Sequence, residues 1–133
     1  MAYTLRLSVR LAGETIQGII EIKKLLENET VYAGLNLTNG FVVNQVYQET
    51  KNSDCQLTIK TKRFPKGNVD KGNLEVKTNL TLSQETIDGI NRLKKELPDY
   101  LDVSYVTTSY VIRLIIKVAL LNRGKEKNKH GEN

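Results

Sequence analysis

Leu74-Glu75-Val76-Lys77-Thr78-Asn79-Leu80-Thr81-Leu82-Ser83-Gln84-Glu85-Thr86-Ile87-Asp88-Gly89-Ile90 changes its hydrophobic period at its middle. Successive side chains of an extended backbone point to opposite sides, so Val76, Thr78, Leu80 and Leu82 share one face of a strand. Lys77, Asn79 and Thr81 share the other. At Ser83 the period becomes helical. Ser83 is a favoured N-cap residue, and Ile87, Ile90, Leu93 and Leu97 then recur at helical spacing. A strand therefore feeds a helix with almost no loop between them.

The same device stands near the start of the sequence. Leu5, Leu7, Val9 and Leu11 alternate with Arg6, Ser8 and Arg10, and Glu14-Thr15-Ile16-Gln17-Gly18-Ile19 then matches Glu85-Thr86-Ile87-Asp88-Gly89-Ile90 at an offset of 71 residues. The spacing predicts a first helix over residues 13–27, with Ile16, Ile19, Ile20, Leu25 and Leu26 as its apolar side. Gly18 and Gly89 occupy matching places inside their helices, where glycine costs about 1 kcal/mol relative to alanine. Close approach of another element is the expected reason in both.

After a connection over residues 28–37, Thr38-Asn39-Gly40 offers a cap to a second helix over 39–51, with Phe41, Val42, Val43, Val46 and Tyr47 as its apolar face. In the later half, Pro98 is expected to stop the helix near Leu97. Thr107-Thr108-Ser109 then caps another helix, in which only Arg113 and Lys117 interrupt the apolar residues over 110–121 and mark its one solvated strip. Phe41-Val42-Val43 matches Tyr110-Val111-Ile112 at an offset of 69. Strand, helix, connection and capped helix thus occur twice in the same order, which an internal duplication explains. The units fall at residues 1–51 and 74–123, with a linker over 52–73 and a polar tail over 124–133 that is expected to be disordered.

A chain of 133 residues with 39% hydrophobic content suits one compact body. Its net charge of +5 is concentrated in residues 51–73, where 6 Lys and Arg stand against 2 Asp and Glu. A basic excess weakly favours a polyanionic partner. Within the linker, residues 56–63 alternate like a strand, and Pro65, Gly67-Asn68 and Gly72-Asn73 punctuate the remainder of the segment. A β-hairpin and an extended basic arm both fit that pattern.

Single Cys55 excludes an intramolecular disulfide and offers no metal-ligand cluster, and His130 is the only histidine. With no Gly-rich phosphate loop and no nucleophile or acid–base constellation, neither metal, nor cofactor, nor enzymatic activity is expected. The first residues lack the features of a signal peptide, and the longest apolar run, 111–121, is too short for a membrane span and contains Arg113 and Lys117. A cytoplasmic protein without membrane association is expected. The tyrosines form no readable stacking platform, which argues against single-stranded nucleic acid as the main ligand.

A strand running straight into a helix, then a second helix opening on a Ser/Thr/Asn cap, resembles the ribbon-helix-helix DNA-binding family, that of the Arc and MetJ repressors. The resemblance covers about 45 residues in each half. It implies an α+β fold, mostly α: a tandem pseudo-dimer in one chain, with an intramolecular antiparallel two-stranded β-ribbon over four helices. The partner it implies is double-stranded DNA, entered through the major groove by the ribbon. Base-reading residues would be Arg6, Ser8 and Arg10 from the first copy and Lys77, Asn79 and Thr81 from the second. Phosphates would be held at the amides around Thr38, Asn39 and Gly40 and around Thr107, Thr108 and Ser109. Lys60, Lys62 and Arg63 of the linker would add phosphate contacts.

Ala12 and Gly13 stand where the family often has proline, and the helix-to-helix connections are longer than usual. The two reading triplets differ in type, so an asymmetric or direct-repeat target is expected rather than a perfect palindrome. Sequence-specific binding as a transcriptional repressor is the leading expectation. The alternative is an accessory protein of a plasmid relaxosome, binding near a transfer origin beside a relaxase. A third is an antitoxin-like interaction module. The protein is expected to act as a monomer, with further assembly on adjacent DNA sites.

Overall fold

Two nine-residue strands, β1 (Thr4–Ala12) and β2 (Glu75–Ser83), pair antiparallel as a two-stranded sheet. The computed structural model describes residues 4–51 and 75–131. Its fold is mixed α+β and mostly helical, with α1 (Gly13–Glu27), α2 (Asn39–Thr50), α3 (Gln84–Leu101) and α4 (Thr108–Gly131) beside the sheet, and one 3-10 turn, Thr30–Tyr32, between α1 and α2. No helix among the described residues is long and apolar enough to cross a membrane.

The register sorts the strand residues as their alternation predicts. Leu5 faces Leu82, Leu7 faces Leu80, Val9 faces Thr78 and Leu11 faces Val76, all on the side that meets the helices. Leu11, Leu80 and Leu82 have no solvent exposure, whereas Leu5 and Val76, near the strand starts, remain exposed. On the opposite face Arg6 meets Thr81, Ser8 meets Asn79 and Arg10 meets Lys77. Ser8 and Asn79 are also 71 residues apart, so the sequence offset and the strand register coincide at that rung. The rungs to either side of it therefore exchange matching positions.

Beneath the sheet lies a core drawn from every helix, with α4 as its most buried member. Val111, Ile112, Leu114, Ile115, Ile116, Val118 and Ala119 are all buried. Ile19, Ile22 and Leu26 of α1, Val42, Val43 and Val46 of α2, and Ile90, Leu93 and Leu97 of α3 meet them. Each such Val, Leu or Ile side chain contributes about 1.5–3 kcal/mol by leaving water.

The glycines inside the two first helices explain how the halves interlock. A Cβ on Gly18 would lie 2.6 Å from Ile116 Cγ2 of α4, and one on Gly89 would run into the Tyr47 ring of α2. Ile116 and Tyr47 are themselves 69 residues apart, the offset that relates the second helices. The expected close approach is present in both copies, and in both it crosses from one half to the other.

Ion pairs cross in the same sense. Glu14 of α1 bonds Arg113 at 3.2 Å and also Lys117, both on α4. Glu85 of α3 accepts from Lys51 Nζ at 2.6 Å and from Gln48 Nε2 at 2.9 Å, at the end of α2. The Lys117 hydrogen bond holds the Glu14 carboxyl below its ordinary 4.5, against some opposition from burial. Lys51 and then Gln48 lower that of Glu85 in the same way. Arg113 and Lys117 are thus no solvated strip, with side-chain exposures of 14% and 25%. They turn toward Glu14 because α1 lies over that side of α4.

Three further expectations are corrected. On α1, Ile20 and Leu25 are exposed at 36% and 44%, and Ile22 is buried in their place. Ile20 lies about 100° round the helix from Ile19, off the stripe formed by Ile19, Ile22 and Leu26. Pro98 does not end α3, which continues to Leu101. Proline forfeits one backbone bond, and Leu97 and Leu101 still anchor this last turn to the core. The helix ends at Asp102 instead, whose φ of 58° is left-handed, with the Val103 amide bonded back to Pro98 O at 3.1 Å. Lastly, α4 runs through to Gly131, across residues expected to form a disordered tail. A helix already nucleated in the core extends at little cost through Lys, Glu and Asn. The linker, with its hairpin or arm, lies outside the described residues.

One asymmetry between the copies yields a stability prediction. Ser83 Oγ accepts from the Thr86 amide at 3.2 Å and lies 3.0 Å from the Thr86 hydroxyl. At the matching place α1 begins on Ala12, which has no side chain to cap it, and the buried Thr15 hydroxyl has no hydrogen-bond partner. Ala12→Ser is expected to stabilise the protein by about 1 kcal/mol, seen as a higher urea midpoint. A midpoint that fails to rise would mean that the α1 start does not match that of α3.

Candidate nucleic-acid interface

Alternation brings Arg6, Ser8, Arg10, Lys77, Asn79 and Thr81 to one face of the ribbon, and all six are exposed. They form three rungs: Arg6 with Thr81, Ser8 with Asn79, and Arg10 with Lys77. Directly opposed residues of an antiparallel pair have Cβ atoms about 4.5–5.5 Å apart, and like charges there are destabilising. The Arg10–Lys77 rung is such a pair. Neither residue, nor Arg6, has a carboxylate partner among the described residues. Elsewhere Lys51, Arg92, Arg113 and Lys117 are matched to Glu85, Glu96 and Glu14. On this face the charges are left to solvent or to an anion.

The two capped helix starts each touch the backbone of one strand. At α2, Thr38 Oγ1 accepts from the Phe41 amide at 3.0 Å and Thr38 O from the Val42 amide at 3.1 Å. At α4, Thr107 Oγ1 accepts from Tyr110 and Thr107 O from Val111, each at 3.1 Å. The first amides of a helix have no intrahelical acceptor, so those of Asn39, Gly40, Thr108 and Ser109 remain to be satisfied from outside the helix. With the helix dipole they favour a negative charge.

Contact with the strands differs in kind between the two. A Cβ on Gly40 would stand 2.6 Å from Thr81 O and 2.8 Å from Thr81 N, so α2 meets β2 as closely as its glycine permits. At the matching position on α4, the Ser109 hydroxyl donates to the Arg10 carbonyl of β1. Asn44 Oδ1 of α2 adds a bond from the Ser83 amide at 3.0 Å, fixing the end of β2. Thr81 and Arg10 are thus each held between a helix start and the opposing strand. A helix start and exposed strand side chains thus come together at two places, one at each end of the ribbon.

Lys94 is an addition to the expected residues. Its ammonium donates to Thr108 Oγ1 at 3.1 Å, bringing a cation to the start of α4. A signal for it exists in the sequence, since Lys94-Lys95 matches Lys23-Lys24 at the offset of 71. Lys60, Lys62 and Arg63 lie outside the described residues. Compared with protein-family models, curated proteins and solved structures, the chain matches none.

Proposed function

We propose that this chain is a sequence-specific double-stranded DNA-binding protein that inserts its β-ribbon into the major groove and performs no chemistry on the DNA. The reading carries the tandem ribbon-helix-helix resemblance with it, the two halves acting as one intramolecular pseudo-dimer. One observation supports it above the others: an exposed ribbon face carries Arg6, Arg10 and Lys77, which lack carboxylate partners among the described residues, and each end of the ribbon is touched by a helix start whose first amides have no acceptor within the helix. The major groove admits a two-stranded ribbon, and phosphates on either side of it lie within reach of such amides. Arg and Lys are suited to guanine and Asn to adenine, whereas Ser and Thr accept either.

A transcriptional repressor is the simplest role for a binder of this kind. The unlike rungs also favour a second reading, an accessory protein that marks an asymmetric locus such as a plasmid transfer origin. Recovering bound fragments from the source genome separates the two, through clusters at promoters or beside a nick site. The binding itself is tested by fluorescence anisotropy on duplex DNA over a range of salt. Replacing Arg6, Arg10 and Lys77 together with Ala is expected to lower affinity for the preferred site about 100-fold or more and to flatten the salt slope. A triple variant that binds as the unaltered protein does would sink the proposal.

A further inference from the structure

The strand register gives the two ends of the ribbon different chemistry, and we propose that they read two unequal half-sites in a fixed orientation. The Arg10–Lys77 rung, beside the start of α4, selects a guanine-rich half. The Arg6–Thr81 rung, beside the start of α2, reads a permissive one. This inference rests on the DNA-binding reading above and adds to it the polarity of the complex.

Register decides the matter, since the six residues alone do not. Arg6 and Arg10 lie toward opposite ends of β1, so strand direction and register settle which of them Lys77 joins. Antiparallel pairing about Ser8–Asn79 sets Lys77 across from Arg10 and leaves Arg6 across from Thr81. Two guanine-selecting side chains therefore project from one rung, where their mutual repulsion is relieved when each meets the O6 and N7 acceptors of a base. Across from Arg6, the Thr81 hydroxyl can donate or accept and so discriminates little.

The surroundings reinforce the difference. At the Arg10 end the Ser109 hydroxyl grips the Arg10 carbonyl, and Lys94 reaches Thr108 on the same helix start, adding positive charge there. At the other end Gly40 lies against Thr81 with no side chain at all. Both the base-reading and the phosphate-holding chemistry are heavier on the α4 side.

The test begins with selection of bound duplexes from a random pool by the unaltered protein. A non-palindromic consensus with guanines concentrated in one half is expected. A hydroxyl-radical cleavage reagent is then attached to Ser104→Cys, an exposed position ahead of α4, in a Cys55→Ser background. Its cuts should fall beside the guanine-rich half.

Lys77→Thr with Thr81→Lys moves the cationic rung to the other end at constant net charge, and the cuts should move to the opposite half. A measurement on the DNA needs no altered protein: 7-deazaguanine, which lacks the N7 acceptor, should weaken binding about tenfold in the α4-side half, met by Arg10 and Lys77, and less in the other, met by Arg6 alone. A palindromic consensus, cuts on the same half for both proteins, or equal 7-deazaguanine losses in the two halves would overturn the inference. Retention of duplex without sequence preference would overturn it while leaving DNA binding standing. If no duplex is retained at all, the proposed function fails and this inference with it.

Discussion

Residues 1–51 and 74–133, produced as separate chains, are expected to fold only together. Neither alone should give a cooperative thermal transition as a monomer at micromolar concentration, and mixing them should restore helical circular dichroism in a one-to-one complex. Three contacts lead to this result. β1 has no ladder partner other than β2 among the described residues. The α1 groove at Gly18 is filled by Ile116 from the later half, and the α3 groove at Gly89 by Tyr47 from the earlier one. The ion pairs of Glu14 and Glu85 run across the same divide. A lone strand with two helices would expose the apolar surface that these contacts cover, and two strands are marginal even when paired. In the intact chain the linker raises the effective concentration of one half near the other to the millimolar range. A cooperative, monomeric transition in either half alone would show that the halves are independent domains.

The second large effect is expected from a single methyl group. Gly40→Ala puts a Cβ against the Thr81 backbone, at 2.6 Å from its oxygen and 2.8 Å from its nitrogen. Side chains can rotate away from an intruder, but Thr81 is held in the ladder opposite Arg6. Helix α2 must therefore withdraw from the sheet. A loss of about 3 kcal/mol is expected, at the upper end of overpacking costs, read as a lower urea midpoint at unchanged slope. Ser109→Ala at the matching place on α4 provides the control. It removes one hydrogen bond to the Arg10 carbonyl and should cost only about 1 kcal/mol. Equal losses in the two variants would mean that the Gly40 contact is slack.

Elements are legible in this sequence, while their partners are not. The offset of 71 relates the strands and the first helices from the residues alone, and the register meets that offset at Ser8–Asn79. Gly18 and Gly89 are readable as places of close approach because an interior glycine is otherwise a plain loss of stability. Periodicity identifies a face without naming what covers it. So the crossing of Ile116 and Tyr47 to the other half is out of reach, and Arg113 and Lys117 read as solvated although Glu14 lies over them.

Ile20 and Ile22 are equally apolar, and which of them joins the buried stripe of Ile19 and Leu26 depends on where the packed helices lie. At the candidate interface the alternation identifies all six ribbon residues, yet their pairing into rungs depends on register. Gly40 reads as part of a cap, while its approach to Thr81 is a tertiary contact without a local signature. Pro98 defies local propensity, because a helix already anchored in the core carries an unfavourable residue along with it, whereas the polar end of α4 lacks the apolar period that would mark a helix.

The coincidence of offset and register at Ser8–Asn79 also bears on how such a chain changes through mutation. Were the two strands encoded once and assembled from identical molecules, any altered residue would appear at both ends of the ribbon together. Here each outward residue has its own codon, and each rung combines one residue from either copy. A change at Lys77 alters the Arg10 end alone, and one at Thr81 alters the Arg6 end alone. Inheritance can therefore revise one edge of this surface while the other is held constant, a freedom denied to an assembly of identical strands.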